Sequence, residues 1–195
     1  MSLALPVMVA VGLGLLVGGR LSALAELRLR APWLFLCALA LQITAFPVSL
    51  LPWTTDESLA TALWVASYGL LVVGAVLNRG VTGVPIVAFG MCLNLAAILA
   101  NRGTMPVTPE AMHDAGRTAV IQANSTASTS PRLRLLIDRW AAPDWIPFAN
   151  VFSVGDVVIA VGAVVLVVAG MGVKFPRAPS DVRRLRVAHR RSRAS

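Results

Sequence analysis

Five apolar runs divide the chain, at residues 3–19, 33–51, 59–77, 81–100 and 154–173. Each is near the roughly twenty residues that carry a helix through a bilayer. None alternates strictly between apolar and polar positions, and a barrel strand needs only about ten residues, so the pattern predicts helices. In lipid, a helix also satisfies its own backbone hydrogen bonds. The expected fold class is all-α, a polytopic helical membrane protein with about five transmembrane helices and a long outer loop containing short helices. The turn Asn78-Arg79-Gly80 is too short to cross a membrane, so the third and fourth runs are expected to form an antiparallel hairpin. Gly14 and Gly18 have small-xxx-small spacing, and Gly12, Gly69, Gly74, Gly90, Gly162 and Gly170 offer further flat surfaces for helix contact.

The polar region 101–153 carries its own signals. Thr108-Pro109-Glu110 reads as a helix start, with Thr108 as N-cap, Pro109 at the first helical position and an acidic first turn, predicting a short helix to about Gln122. Residues 124–130 read as a flexible Ser/Thr stretch. Over 132–140, Leu133, Leu136, Ile137 and Trp140 recur at helical spacing opposite Arg134 and Asp138, which predicts an amphipathic helix on the outer leaflet. Pro143 and Pro147 then return the chain to the membrane, with Trp140 and Trp145 at headgroup depth.

Composition sharpens this picture. With 57% hydrophobic and 13% charged residues and a mean hydropathy of +0.76, the 195 residues leave no room for a separate soluble catalytic domain. Cys37 and Cys92 both lie inside apolar runs, so neither a disulfide framework nor a thiolate metal cluster is indicated. Alternate connectors carry twelve Lys and Arg on one side against five on the other, and the richer side is expected in the cytoplasm of a cell membrane. That places the N-terminus and residues 101–153 outside and the tail inside. The first run then reads as an N-out anchor; Ala23-Leu24-Ala25 resembles a peptidase site, but no basic segment precedes the run. Residues 1–175 are expected to form one membrane domain and 176–195 a disordered basic tail. There Arg183, Arg184, Arg186, Arg190, Arg191 and Arg193 are placed to meet anionic lipid headgroups, with membrane proteins as further possible partners and no nucleic acid.

Candidate chemistry gathers at the outer ends of the last two runs. The fourth run contains Asn94 and leads into Asn101, Gly103, Met105 and Pro106; the fifth begins at Ser153 and Asp156. An ionisable group at the edge of a membrane helix is a functional candidate. Asp156 also has a local explanation, because Ser153 and Asp156 have capping-box spacing, with Phe152 and Val157 placed as a hydrophobic staple. Asn101 and Gly103 fit helix termination, and Asn94, Gln42 and Thr44 fit hydrogen bonds to neighbouring helices. Glu110, His113 and Asp114 share a helix face, but a single imidazole favours a solvated face over a metal site, and His189 sits in the basic tail. No phosphate loop, nucleophile elbow or zinc-protease motif is present, and no cofactor is implied.

Asn101-x-Gly103-x-Met105-Pro106-Val107, followed by Ser153-Val154-Gly155-Asp156, resembles an uncharacterised bacterial family of five-helix membrane proteins, a domain of unknown function. That resemblance would cover residues 1–175 and implies no activity. Separately, Phe152-Ser153-Val154-Gly155-Asp156 with Ile159 and Gly162 is similar to the Phe-Asn-x-Ala-Asp-x-x-Ile-x-x-Gly stretch of signal peptidase II. The similarity implies Asp156 as one of a catalytic pair, with Asp138, eighteen residues earlier, near the place of the other. Two carboxylates sharing a proton can activate water for peptide hydrolysis. Ser153 and Gly155 stand where that family has Asn and Ala, two of its spans are missing, and Arg134 one turn before Asp138 offers a surface ion pair instead. The sequence therefore favours a non-enzymatic membrane protein. Its leading function is binding of a lipid-like or small ligand in an outward polar pocket of Asn94, Asn101, Gly103, Met105, Pro106, Ser153 and Asp156. A structural or assembly subunit is the alternative, and an intramembrane aspartyl hydrolase the third reading.

Overall fold

A computed structural model describes residues 4–45, 55–115, 125–127, 130–143 and 151–173. Five helices of thirteen or more residues occupy the five apolar runs: α1 (Ala4–Leu16), α3 (Trp33–Ala45), α4 (Glu57–Leu77), α5 (Val84–Ala100) and α7 (Val154–Gly170). A short α2 (Leu21–Ala25) and α6 (Pro109–Asp114) complete the helices, and helix predominates throughout. Of these, α4 has the length and composition to cross a membrane, and α1, α3, α5 and α7 are shorter apolar helices. Expectations for residues 46–51 and 116–122, for Trp145 and Pro147, and for the tail with His189 and its arginines fall outside the described residues.

The helices pack as a row, α3 on α4, α4 on α5, α5 on α7 and α7 on α1. The expected hairpin is present, and Asn78 ties it down. Buried at the end of α4, Asn78 accepts from Arg30 N at 2.7 Å and donates from Nδ2 to Arg30 O and Gly74 O. Arg20 N donates to Met171 O at 2.8 Å, so the Arg20–Arg30 connector, Arg79 and the end of α7 share one end of the row. Between α3 and α4, Gln42 Nε2 donates to Ser67 Oγ at 3.1 Å, whereas Thr44 turns back to Ala40 O in its own helix.

The tightest contact, α5 against α7, is made by glycines spaced seven apart on antiparallel helices. A Cβ on Gly90 would lie 2.7 Å from Gly155 O, and one on Gly162 would lie 2.6 Å from Val87 N. Gly83, at φ +93° before α5, faces Leu166 N at 2.5 Å in the same sense. Glycines at these positions let the two backbones approach closely. The Gly14 and Gly18 pair does not act this way. Gly14 meets the Met171 side chain, whereas Gly18 has a positive φ and open space around it, because α1 has already ended at Leu16.

The polar region differs most from the sequence reading. α6 ends at Asp114 with Ala115 as its C-cap, and the rest of the expected helix, to about Gln122, lies outside the described residues. Residues 125–127, expected to be flexible, form β2 (Ser125–Ala127), parallel to β1 (Met105–Val107). No helix forms over 132–140. Leu133 lies at φ +52°, Asp138 bridges Val107, and Trp140–Ala141 is a strand, β3, antiparallel to β4 (Val151–Phe152). The reason is tertiary. One edge of β1 accepts Asp138 N at Pro106 O (3.0 Å) and donates Thr108 N to Asp138 O (3.0 Å), which draws the segment into extended pairing. Neighbouring Ile137 and Asp138 are both buried, an arrangement that a surface helix with opposed faces would not give. The Arg134 and Asp138 helical pairing therefore does not exist. Phe152 stacks on Trp140, with ring centroids 5.8 Å apart.

Candidate functional site

Where α5, α7 and the β-paired loop meet, three polar side chains close a ring. Ser153 and Asp156 form the capping box that their spacing implies. Asp156 N donates to Ser153 Oγ, and Ser153 N donates to Asp156 Oδ2, both at 3.1 Å. Asn94, on the neighbouring helix and 4% exposed, completes the ring. Its Nδ2 donates to Asp156 Oδ1 at 2.9 Å, and its Oδ1 accepts from Ser153 Oγ at 2.9 Å. Both Asp156 oxygens and both ends of the Asn94 amide are therefore used. Gly155 makes room for this, since any Cβ there would collide with Asn94 Oδ1.

The other predicted site residues make separate contacts, away from the hydrogen bonds of this ring. Asn101 ends α5 and clamps the loop, accepting from Arg132 N at 2.8 Å and donating to Arg132 O at 3.0 Å and Ala97 O at 2.8 Å. Gly103, at φ +91°, lies against the Thr61 side chain. Met105 is buried with Ala97 and Ile98, packed by Trp64, Tyr68 and Leu136, and Pro106 holds Asp138 through its carbonyl. These residues fasten the loop to the helices.

Asp138, named from the sequence as the candidate partner of Asp156, lies within electrostatic reach of it. It is 6% exposed, and its Oδ1 has no hydrogen-bond partner among the described residues. Burial, and then the nearby Asp156 charge, push its carboxyl up to about 7. Tyr68 was not expected here; its phenol faces the Asn94 amide, within electrostatic reach of Asp138 and Asp156. No local signal marks Tyr68, because its partners lie on other elements.

A separate groove of about 320 Å³ opens on the loop, lined by Thr108, Pro109, Glu110, Arg134, Ile137 and Arg139 among others. Arg139 also lies over the Trp140 ring, 5.2 Å from its centroid. His113 and Asp114 are strongly exposed, 3.5 Å apart, and among the described residues no three acidic, His or Cys side chains are grouped to hold a metal.

No curated protein and no solved structure matches the chain. A family model, described as a family of unknown function, DUF5317, matches residues 26–168, a stretch that holds Asn94, Asp138, Ser153 and Asp156. The chain, with its helical row and its buried polar ring, belongs to the DUF5317 family.

Proposed function

We propose that this protein is an integral membrane protein whose five long helices span the bilayer, with residues 101–153 outside and the basic tail in the cytoplasm. The reading is supported by apolar side chains facing outward all along the row, among them Met8, Leu36, Phe89 and Leu99. Only 22% of the apolar window of α4 is buried within the protein, unlike the core helix of a water-soluble domain. The grouping of Arg20, Arg28, Arg30 and Arg79 at one end agrees with the charge bias. In a background with Cys37 and Cys92 replaced by serine, a cysteine at Ser128 is expected to react with an impermeant thiol reagent in intact cells, and one at Ser192 is not. The opposite labelling pattern would invert the topology.

At the outer end, the protein binds a small or lipid-like ligand carrying an anionic group. The observation that carries this reading is the loop groove, whose lining includes Arg139 together with Glu110, Pro109, Pro131 and Ile137. The Arg139 guanidinium suits a phosphate or carboxylate, and the apolar residues among the lining suit a short stretch of hydrocarbon. Lipid-resolving mass spectrometry of purified protein is the test. Bound anionic lipid should be retained by wild type and lost from Arg139→Glu with unchanged melting temperature; equal retention by both proteins removes the groove as the site.

Aspartyl hydrolysis remains a second reading because Asp138 is buried within reach of the Asp156 charge. Against it, both Asp156 oxygens already accept hydrogen bonds inside the ring. Absence of cleavage of membrane peptides by protein that retains lipid would set it aside.

A further inference from the structure

Asp138 sits where a charge is hardest to keep. Its side chain is more than nine-tenths buried, one oxygen lacks a partner among the described residues, and the Asp156 carboxylate nearby already accepts from Asn94 and Ser153. Its backbone is fixed on both sides to β1, through Pro106 O and Thr108 N, and the next residue, Arg139, donates N–H to Phe152 O at 3.2 Å. The backbone on either side of the carboxyl is therefore held in place by other segments.

We propose that Asp138 and Asp156 form a carboxyl pair that holds one exchangeable proton, resident on Asp138, and that losing this proton releases the 131–141 segment from β1 and from β4. The inference does not depend on the groove holding a ligand, although Ile137 and Arg139, which flank Asp138, line that groove.

Among the described residues, the charges facing Asp138 are few. From α7 comes Asp156, from α4 the Tyr68 phenol, and from α5 the neutral Asn94 amide; β1 carries no ionisable side chain. Arg132, Arg134 and Arg139 on its own segment are exposed. A second anion next to Asp156, without a donor, is the costly state, and the neutral acid relieves it.

The sign follows from a carboxyl raised from 3.8 to about 7. The folded loop binds the proton more tightly than the released one, so docking is strongest in acid. It is fully favoured below the ordinary carboxyl value and is lost as pH rises through about 7. Infrared titration of the full-length protein in lipid nanodiscs reads the proton directly. A protonated carboxyl band should fade with a midpoint near 7 in wild type, be missing from Asp138→Asn, and fade at lower pH in Asp156→Asn. In parallel, proteolysis of the loop should increase several-fold from pH 5 to pH 8 in wild type and stay level in Asp138→Asn. A band fading near the ordinary carboxyl value, or a loop equally pH-sensitive without Asp138, overturns the proposal. Should Asp138→Asn fail to fold, the comparison of wild type with Asp156→Asn decides: a lowered midpoint supports the pair and an unchanged one overturns it.

Discussion

Gly155→Ala is expected to be the most damaging single-methyl change in the protein. The added Cβ would occupy the position of Asn94 Oδ1 and press on Gly90 O at 2.9 Å, so either the amide leaves the ring or α5 and α7 separate. Backbone on a packed helix yields little, and overpacking of this kind costs about 1–3 kcal/mol. Loss of the Asn94 bonds adds the penalty of buried polar groups left unpaired, about 1–3 kcal/mol more. A fall of many degrees in the detergent melting temperature, or failure to accumulate folded protein, is the outcome to look for. Gly69→Ala is the matched control, because a Cβ there meets nothing within 4 Å. If the two variants melt alike, the glycine-lined contact between α5 and α7 is not what holds the helices together.

The second large effect concerns Asp156, and the ring changes what its variants mean. A carboxylate offers two acceptor oxygens, one used by Asn94 Nδ2 and the other by Ser153 N. Asp156→Asn keeps one acceptor and replaces the other with a donor, so it must surrender either the helix cap or the bond to α5. A loss of about 1–3 kcal/mol is expected from a structural role alone. Asp156→Ala loses both, the cap itself being worth about 0.5–2 kcal/mol. Exchanging the two groups tests the geometry. With Asn94→Asp and Asp156→Asn together, the new amide at position 156 can donate to the new carboxylate at 94 while its oxygen still accepts from Ser153 N. The double variant should melt above Asp156→Asn by a measurable margin, although moving the charge into α5 keeps it below wild type. Strictly additive melting shifts would show that the two side chains do not interact.

The sequence by itself determined the helical runs, the hairpin at Asn78 and the capping box of Ser153 and Asp156, since each is written within a few residues. Long apolar runs favour helix by their length and pattern, and a cap forms between residues three apart. Thr108 likewise caps α6 as its Thr-Pro-Glu start implies. Tertiary structure decided the rest. Asn94 is separated by 59 residues from Ser153 and by 62 from Asp156, so nothing near it distinguishes a ring member from any polar residue in an apolar helix. Leu133, Leu136, Ile137 and Trp140 keep helical spacing, yet the open edge of β1 supplies backbone partners that outweigh a local preference worth only tenths of a kcal/mol per residue. That pairing turns Asp138 inward, towards Asp156. Its burial, and with it the proton we assign there, was fixed by contacts between segments that become neighbours only when the helices pack.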